Sequence, residues 1–584
     1  MKTIAFVSMF TLAASANAQQ DTLPTRPAAA VARQSELQEF SDSSADTMRS
    51  LIERYSDDLS LLQRSYDARY STQRIEAIRQ FVREWMKRLD HVDFASLKHD
   101  GKIDYILLKN EFRHELQSLD HLQIRNQKAV ALLSFSEDIV RLHQSRRRNE
   151  PIDPRQAANE LVKIAGSIKE LQAAVGKDDD TADQHAGVHA GLVVADLQRV
   201  LSQWYLFYND YNPEFSWWVK KPYEDVSVAL KKYADFLREK VVAVAKDDLD
   251  TIVGQPIGRD ALITELQYEM IDFTPQELIE IGRRELSWCH TELKKSSQKL
   301  GFGDDWRKAL DHVKSLHVAP GKQPELINKL ANEAVTFLKE RDLVTIPELC
   351  QQSWRMTMMS PSRQRVSPYF TGGEVISVSF PTTDMSHSDK LMSMRGNNIH
   401  FSRATVHHEL IPGHHLQGFM AQRYRPHRRQ FRTPFLVEGW ALYWEMLLWD
   451  LEFPQSHEDR MGMLFWRSHR CARIIFSLKF HLEQMTPNEA IDFLVENVGH
   501  ERRNATAEVR RSVSGGYGPL YQAAYMLGGL QIRSMYKQLV ESGTMSHRQF
   551  HDAILRENSI PVKMIRASLT NQPLKPNVPD EWRF

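Results

Sequence analysis

From about residue 36 to 345, apolar residues recur at steps of three and four between charged ones, as in Ile75-Ile78-Phe81-Val82-Trp85 and Ala229-Leu230-Tyr233-Phe236-Leu237. That spacing lines the apolar side chains along one stripe of a helix. Sustained over more than half of a 584-residue chain, it restricts the protein to a mainly α fold. Helix starts are well marked. Thr274-Pro275-Gln276-Glu277 and Thr486-Pro487-Asn488-Glu489 combine a hydroxyl N-cap, a proline at the first helical position and an acid three residues on. Ser546-His547-Arg548-Gln549 is a third capping box. Breaks are expected at Pro151–Pro154, at the acidic loop Lys177–Asp183 and at Pro320-Gly321. One region differs. Val375-Ile376-Ser377-Val378-Ser379-Phe380 alternates β-branched and small polar residues, and Asn398-Ile399-His400-Phe401-Ser402 follows soon after a glycine. These predict two or three short strands beside one site.

Charge and cysteine content narrow the function classes. The 75 Lys+Arg and 75 Asp+Glu cancel, without the basic excess of a dedicated nucleic-acid binder. Cys289, Cys350 and Cys471 are too few for a disulfide framework and too widely spaced for a cysteine-based zinc site, so stability rests on packing. The chain opens with Lys2, an apolar run from Ile4 to Ala14, and Ala16-Asn17-Ala18. These are the parts of a signal peptide, and the run is shorter than the ~20 residues that span a bilayer. With no cysteine after the small residues, lipid anchoring is not expected. Cleavage after Ala18 predicts an exported mature protein, periplasmic or secreted, with no membrane span. The apolar stretch Phe435–Leu448 contains Glu438 and Glu445 and reads as a buried helix. The organisation is then a signal peptide (1–18), a flexible leader (19–35), an N-terminal helical region (36–345) and a catalytic helical region with a small sheet (346–584), the last two forming one intertwined unit.

Chemistry concentrates in Val406-His407-His408-Glu409-Leu410-Ile411-Pro412-Gly413-His414-His415-Leu416-Gln417, which holds four histidines and one carboxylate. Twenty-four residues past His414 stands Glu438, opening Glu438-Gly439-Trp440-Ala441-Leu442-Tyr443. A zincin helix places two histidines at i and i+4 with a glutamate general base after the first, and a third ligand leaves one position for water. Here the spacing departs: His408 and His414, six apart, would lie about 120° apart around an ideal helix. His408 and His415 would share a face but stand about 10 Å apart along the axis, too far for one ion with Zn–N bonds near 2.1 Å. Pro412-Gly413, accommodated as a bulge, returns His414 to the i+4 place. The expected metal ligands are His408, His414 and Glu438 with Glu409 as base; His415 and His407 are the alternatives, as orienting donors or replacement ligands. Adjacent histidines on a helix are often only polar surface. An acid inside an apolar stretch, however, costs several kcal/mol unless it is paired. A metal ion explains Glu438, and a salt bridge to a nearby arginine is the competing explanation. Glu445, one heptad on, reads more readily as an exposed or salt-bridged acid than as an orienting partner of a ligand histidine.

At these residues the chain resembles the bacterial family catalogued as domain of unknown function 885, whose members look like zinc metallopeptidases. The H-E-x-x-P-G-H-H-L-Q and E-G-W-A-L-Y stretches stand intact as His408–Gln417 and Glu438–Tyr443. Gln255-Pro256-Ile257-Gly258 and Phe550-His551-Asp552-Ala553-Ile554-Leu555 are similar to further stretches, and the likeness covers roughly residues 35–575. Gly516-Tyr517-Gly518-Pro519-Leu520-Tyr521, running on to Tyr525 and Gly528, resembles the Gly-Tyr segment of thimet-type oligopeptidases and thermostable metallocarboxypeptidases. The resemblance implies a large helical unit with a deep cleft, Tyr517 and Tyr521 steadying the oxyanion, and Arg511 clamping a substrate carboxylate, with Arg510 as its competitor. It implies one Zn²⁺ per chain and hydrolysis of short peptides, of carboxypeptidase or oligopeptidase type. Two other readings are carried: a zinc amidohydrolase acting on a non-peptide amide such as an acylated amino acid, and a non-catalytic helical binding protein with a degenerate metal site.

Overall fold

A computed structural model describes residues 47–175, 183–245, 247–248, 251–364, 369–514, 516–577 and 581–584. The expected signal peptide and leader lie outside the described residues. The molecule is mainly α-helical, and its one sheet among the described residues has two strands. The expected capping boxes are all formed: Thr274 with Glu277, Thr486 with Glu489 and Ser546 with Gln549. Each satisfies end groups that a helix leaves without intrahelical partners. Ile75, Ile78, Phe81, Val82 and Trp85 are buried on one face of the helix Thr72–Asp90.

Three groups of buried apolar side chains hold the helices together. The largest joins the N-terminal helices Thr47–Ser65, Thr72–Asp90 and His99–Ala129 to residues of the C-terminal half. Arg428, fully buried, ties the same two parts by donating from Nε to Asp104 Oδ1 at 2.7 Å and by pairing with Glu557. A second group takes in Ala68 and residues from Ala129 to Val241, with Trp204 and Phe215 in edge contact at 5.1 Å. The third is small and lies under the sheet, where Ile376, Val378 and Phe370 meet Ile327, Leu330, Val406 and Leu410.

The sheet pairs β1 (Arg355–Met358) with β2 (Val375–Val378) in parallel, Arg355 opposite Val375 and Met358 opposite Val378. The alternating segment at 375 is therefore a strand as expected. The segment Asn398–Ser402 is not. Asn398 is an N-cap whose side chain accepts from the N–H groups of His400 and Phe401, so the chain enters a helix there. A local side-chain bond to orphan helix donors outweighs the strand preference of an Ile-x-Phe pattern.

Six helices build the site described next: α1 (Ile399–Glu409), α2 (His414–Ala421), α3 (Pro434–Asp450), α4 (His457–His481), α5 (Arg502–Val513) and α6 (Tyr521–Tyr536). Helix α3, the apolar stretch with two acids, is buried along nearly its whole length. None of the described helices is long and apolar enough to cross a membrane.

Candidate metal centre

Helix α1 ends where its sequence stops supporting a helix. Leu410 leaves helical angles (φ −107°, ψ −104°), the Ile411–Pro412 peptide is cis, and Gly413 leads into α2. Pro412 has no N–H with which to continue the ladder. Gly413 is required by close approach, since a Cβ there would lie 1.7 Å from the carbonyl oxygen of His408. Its own N–H donates to His407 O at 3.0 Å. The bulge expected inside one helix is thus a break between two. The break brings the rings of His408 and His414 to 4.8 Å between centroids, nearly perpendicular at 89°.

Helix α3 supplies the carboxylates. Glu438 and Glu445 are two turns apart on one face, and His408 lies between them. Its Nδ1 shares a 2.7 Å hydrogen bond with Glu445 Oε1, while its Nε2 faces Glu438 Oε2 at 3.8 Å. The Nε2 of His414 is 3.2 Å from the same Glu438 oxygen. That oxygen is buried and has no hydrogen-bond partner. A tetrahedral zinc ion with bonds near 2.1 Å holds its ligand atoms about 3.4 Å apart, so the three side chains fit such an ion. Among the described residues they are the one group of His, Cys, Asp or Glu side chains whose ligand atoms converge, all within 4.8 Å.

The electrostatics favour a cation. Burial resists charge on His408, yet the neighbouring Glu438 carboxylate and the hydrogen bond to Glu445 outweigh it and hold this histidine up at about 9. Burial pushes the Glu438 carboxyl up, but His414 and His408 prevail and keep it well below the usual range. Glu445 is lowered too, its burial overcome by Arg470 and His408. Two ionised carboxylates around imidazole nitrogens stabilise a proton or a metal ion in the same place.

Around this triad lies a cleft of about 260 Å³ whose walls include Glu409, Tyr517, Tyr521, Tyr525 and Arg511. Helix α6 reaches it because Gly439 of α3 and Gly528 of α6 cross in backbone contact; a Cβ on Gly439 would stand 2.6 Å from Gly528 Cα. The crossing lets the Tyr521 hydroxyl donate to Glu438 Oε1. Burial, then Tyr525 and Glu438, raise the Tyr521 phenol above its ordinary range, so it stays a donor. The Tyr517 ring packs 4.4 Å from that of Tyr521, and Tyr525 stacks near His408 at 6.3 Å and 15°. Beside the sheet, the Gly373 N–H donates to Glu409 O at 3.1 Å, and a Cβ on Gly372 would lie 2.3 Å from Glu409 Cβ. This loop lies directly against the candidate base.

The model of the family described as bacterial protein of unknown function (DUF885) matches residues 29–569. The chain belongs to this family. Two solved structures resemble this DUF885 protein in fold. One is a candidate lipoprotein of unknown function from Shewanella oneidensis, 18% identical, with a TM-score of 0.66, covering 90% of this chain and 100% of its own. The other, a candidate lipoprotein from Colwellia psychrerythraea, is 15% identical with a TM-score of 0.58 and covers 90% and 98%. No curated protein matches the chain.

Every site residue singled out in the sequence lines this one cleft: His408, Glu409, His414, Glu438, Arg511, Tyr517 and Tyr521. The alternatives do not converge on it. His415 turns its Nε2 to Cys350 O at 2.7 Å, and His407 is buried beside Phe453 with neither ring nitrogen bonded. Arg511, not Arg510, reaches the cleft. Of the two readings of Glu445, exposed or salt-bridged, the structure keeps the second: it is buried, with Arg470 at 3.5 Å, and it also holds His408 from the side away from Glu438. Sequence reading missed Tyr525, the Gly372 loop and the pair Arg470 and Arg473 on α4. Two cations one turn apart on a helix otherwise rich in Met, Phe, Trp and Ile were the available signal.

Proposed function

We propose that this DUF885 protein is a zinc-dependent hydrolase that cleaves peptide bonds of short peptides and acts outside the cytoplasm. The convergence of His408, His414 and Glu438 carries the reading, because one oxygen of that buried carboxylate has no hydrogen-bond donor and a divalent cation would satisfy it. Held by these three groups, zinc would polarise a carbonyl and bring a water's pKa towards 7.

The chain's own residues do the rest. Glu409, next to a ligand histidine and on the cleft wall, takes the proton of the attacking water and passes it to the leaving amine. Glu445 fixes the His408 ring by accepting from Nδ1, which leaves Nε2 free to act as a ligand. Tyr521 steadies Glu438 through its hydroxyl, and Tyr517 offers a second hydroxyl towards charge developing on the carbonyl oxygen. The Gly372–Gly373 backbone lies where an extended substrate can run past Glu409. Enclosure of the site in a cleft favours short, unfolded peptides over folded proteins. Export is supported by the start of the sequence and by the description of both solved relatives as lipoproteins.

The test is metal stoichiometry joined to turnover. The purified protein is expected to bind one zinc per chain and to cleave short peptides in a manner abolished by a chelator and restored by zinc. Glu438→Ala should lower the zinc-to-protein ratio in elemental analysis. An unchanged ratio would remove Glu438 from the ligand set, and cleavage indifferent to chelation would end the zinc reading.

A further inference from the structure

A second space opens on the far side of Tyr517. The end of helix α5 and Tyr517 divide the two. Arg511 and Tyr517 line the metal cleft, while Ser512, Val513, Tyr517 and Pro519 line the new chamber, so Tyr517 is a wall of both. The chamber measures about 260 Å³. It runs on into a further pocket of about 180 Å³, with which it shares His121, Arg125, His189, Gln255, Ile257 and Ala261. Its walls come from both halves of the molecule. His121 belongs to the helix His99–Ala129, His189 and Leu192 to the helix Gln184–Tyr208, and His481 to the last turn of α4.

The stretch Gln255-Pro256-Ile257-Gly258, which has no part in the metal chemistry, lies along this space. It is wedged in place. A Cβ on Gly254 would lie 2.4 Å from Phe480 Cζ and 2.7 Å from Val513 O. The Gln255 N–H donates to that same oxygen at 3.4 Å, and its side-chain amide donates to His185 O at 3.3 Å. The segment therefore braces the helix Gln184–Tyr208 against the end of α5 along one side of the chamber. The lining suits an uncharged, hydrogen-bonding occupant. Burial, aided for His189 by Arg125, holds the imidazoles of His189 and His481 down at about 4, so both are neutral. A neutral imidazole offers one donor and one acceptor, which a peptide unit matches. Nδ1 of His481 is enclosed and unpartnered, which leaves Nε2 as the nitrogen this wall presents. Arg125 and Glu265 supply opposite charges, and Leu192, Ile257 and Val513 supply apolar surface. An extended chain advances about 3.4 Å per residue, so it clears the packed rings of Tyr521 and Tyr517 in about three residues.

We propose that this chamber between the two halves of the molecule seats one arm of an oligopeptide, beginning about three residues from the bond cut at the metal centre, so that the protein selects its substrates by chain length. This rests on the zinc-hydrolase reading for the place of that bond, and on the shared wall at Tyr517 for the path. The metal cleft alone would serve a dipeptide or an acylated amino acid; the chamber has a use only for a longer chain.

The experiment reads binding apart from turnover. Zinc-loaded Glu409→Gln protein is titrated calorimetrically with alanine-rich peptides of two, four and six residues, blocked at both ends so that no terminal charge contributes. Further peptide units hydrogen-bonded in the chamber predict that the six-residue peptide binds about 10- to 100-fold more tightly than the two-residue one. Leu192 is 45% exposed, so the fold tolerates bulk there, and Leu192→Trp puts an indole into the chamber. That variant should bring the longest and shortest peptides to within about threefold of each other at unchanged zinc content. His481→Phe, which keeps a ring and removes its nitrogens, should cut the advantage of the long peptide about three- to tenfold. Equal binding of long and short peptides by the Glu409→Gln protein, binding of none of them, or an advantage undiminished in either variant would overturn the proposal. Wild-type cleavage of the shortest peptides with no gain on lengthening would sink the chamber and leave the hydrolase standing. Selective binding of a long peptide that wild type never cleaves would do the reverse.

Discussion

The helices around Ala129–Val241 and the helices around the His408–His414–Glu438 triad are both tightly buried, but they are filled with different chemistry. The first core is assembled from Leu, Val, Ala and aromatic rings, with Trp204, Tyr208 and Phe215 in mutual contact. The second holds Glu438, Glu445 and Glu508 together with Arg467, Arg470 and Arg473, all at most 8% exposed, within a shell of Trp, Phe and Met. Apolar burial contributes to stability roughly in proportion to area, whereas buried ion pairs roughly break even against apolar replacements. A core built for stability alone would resemble the first. The second gives up stability to hold charge in fixed positions, and Glu438, Arg470 and Arg473 among them border one cleft.

If that contrast is sound, the two cores respond to substitution in opposite ways. The largest effect is expected from Glu409→Gln, which removes a proton acceptor without changing shape. Peptide turnover should fall by about 10²- to 10⁴-fold while zinc stays bound and the melting curve barely moves. Near-normal turnover with zinc in place would show that the base is another group. The converse is Trp204→Ala in the first core, expected to cost about 3–5 kcal/mol in denaturant unfolding of whichever transition reports on that core. Residual folded protein should keep its zinc and its KM for the shortest peptides. A change in that KM without loss of stability would mean that the helical lobe contributes directly to the metal site.

The smallest effect concerns pH. Burial holds the His500 and His551 imidazoles down at about 3 from an ordinary 6.5. His551 is wedged between Tyr443 OH at 2.8 Å and Leu343 O at 2.7 Å. An unfolded chain takes up protons on these rings below pH 6.5, and the folded chain does not until far lower. Their contribution is therefore complete above pH 6.5 and is lost progressively as pH falls towards 3. The melting temperature should decline on acidification from pH 7 to 5, and His551→Gln should flatten part of that slope while lowering stability at neutral pH. A slope unaltered by the substitution would assign it to other groups.

Much of the candidate site was legible in the sequence because its candidate ligands are crowded into two short motifs. His408, Glu409 and His414 fall within seven residues, and Glu438 marks itself as an acid in an apolar run. Pro412 and Gly413 announced a departure from regular helix, although a break rather than a bulge resulted. The strand expected over Asn398–Ser402 failed because one asparagine side chain capped a helix there, a local bond that hydropathy alternation does not register. The role of Glu445 was underrated for another reason: nothing along the chain says that the face of α3 two turns past Glu438 meets the other nitrogen of His408.

Local sequence determined the helical class, the helix starts and the candidate ligand set: histidines crowded around Pro412, and an acid in an apolar run at Glu438. Which of the adjacent histidines turns inward, and the gathering of Arg473 with Glu508, 35 positions later, were decided only when the helices packed. So was the approach of Tyr521 to Glu438 across 83 residues. Those contacts hang on crossings such as Gly439 against Gly528, where the absence of two side chains sets the distance between helices. Such distances belong to surfaces brought together from remote segments, and no periodicity within either segment encodes them.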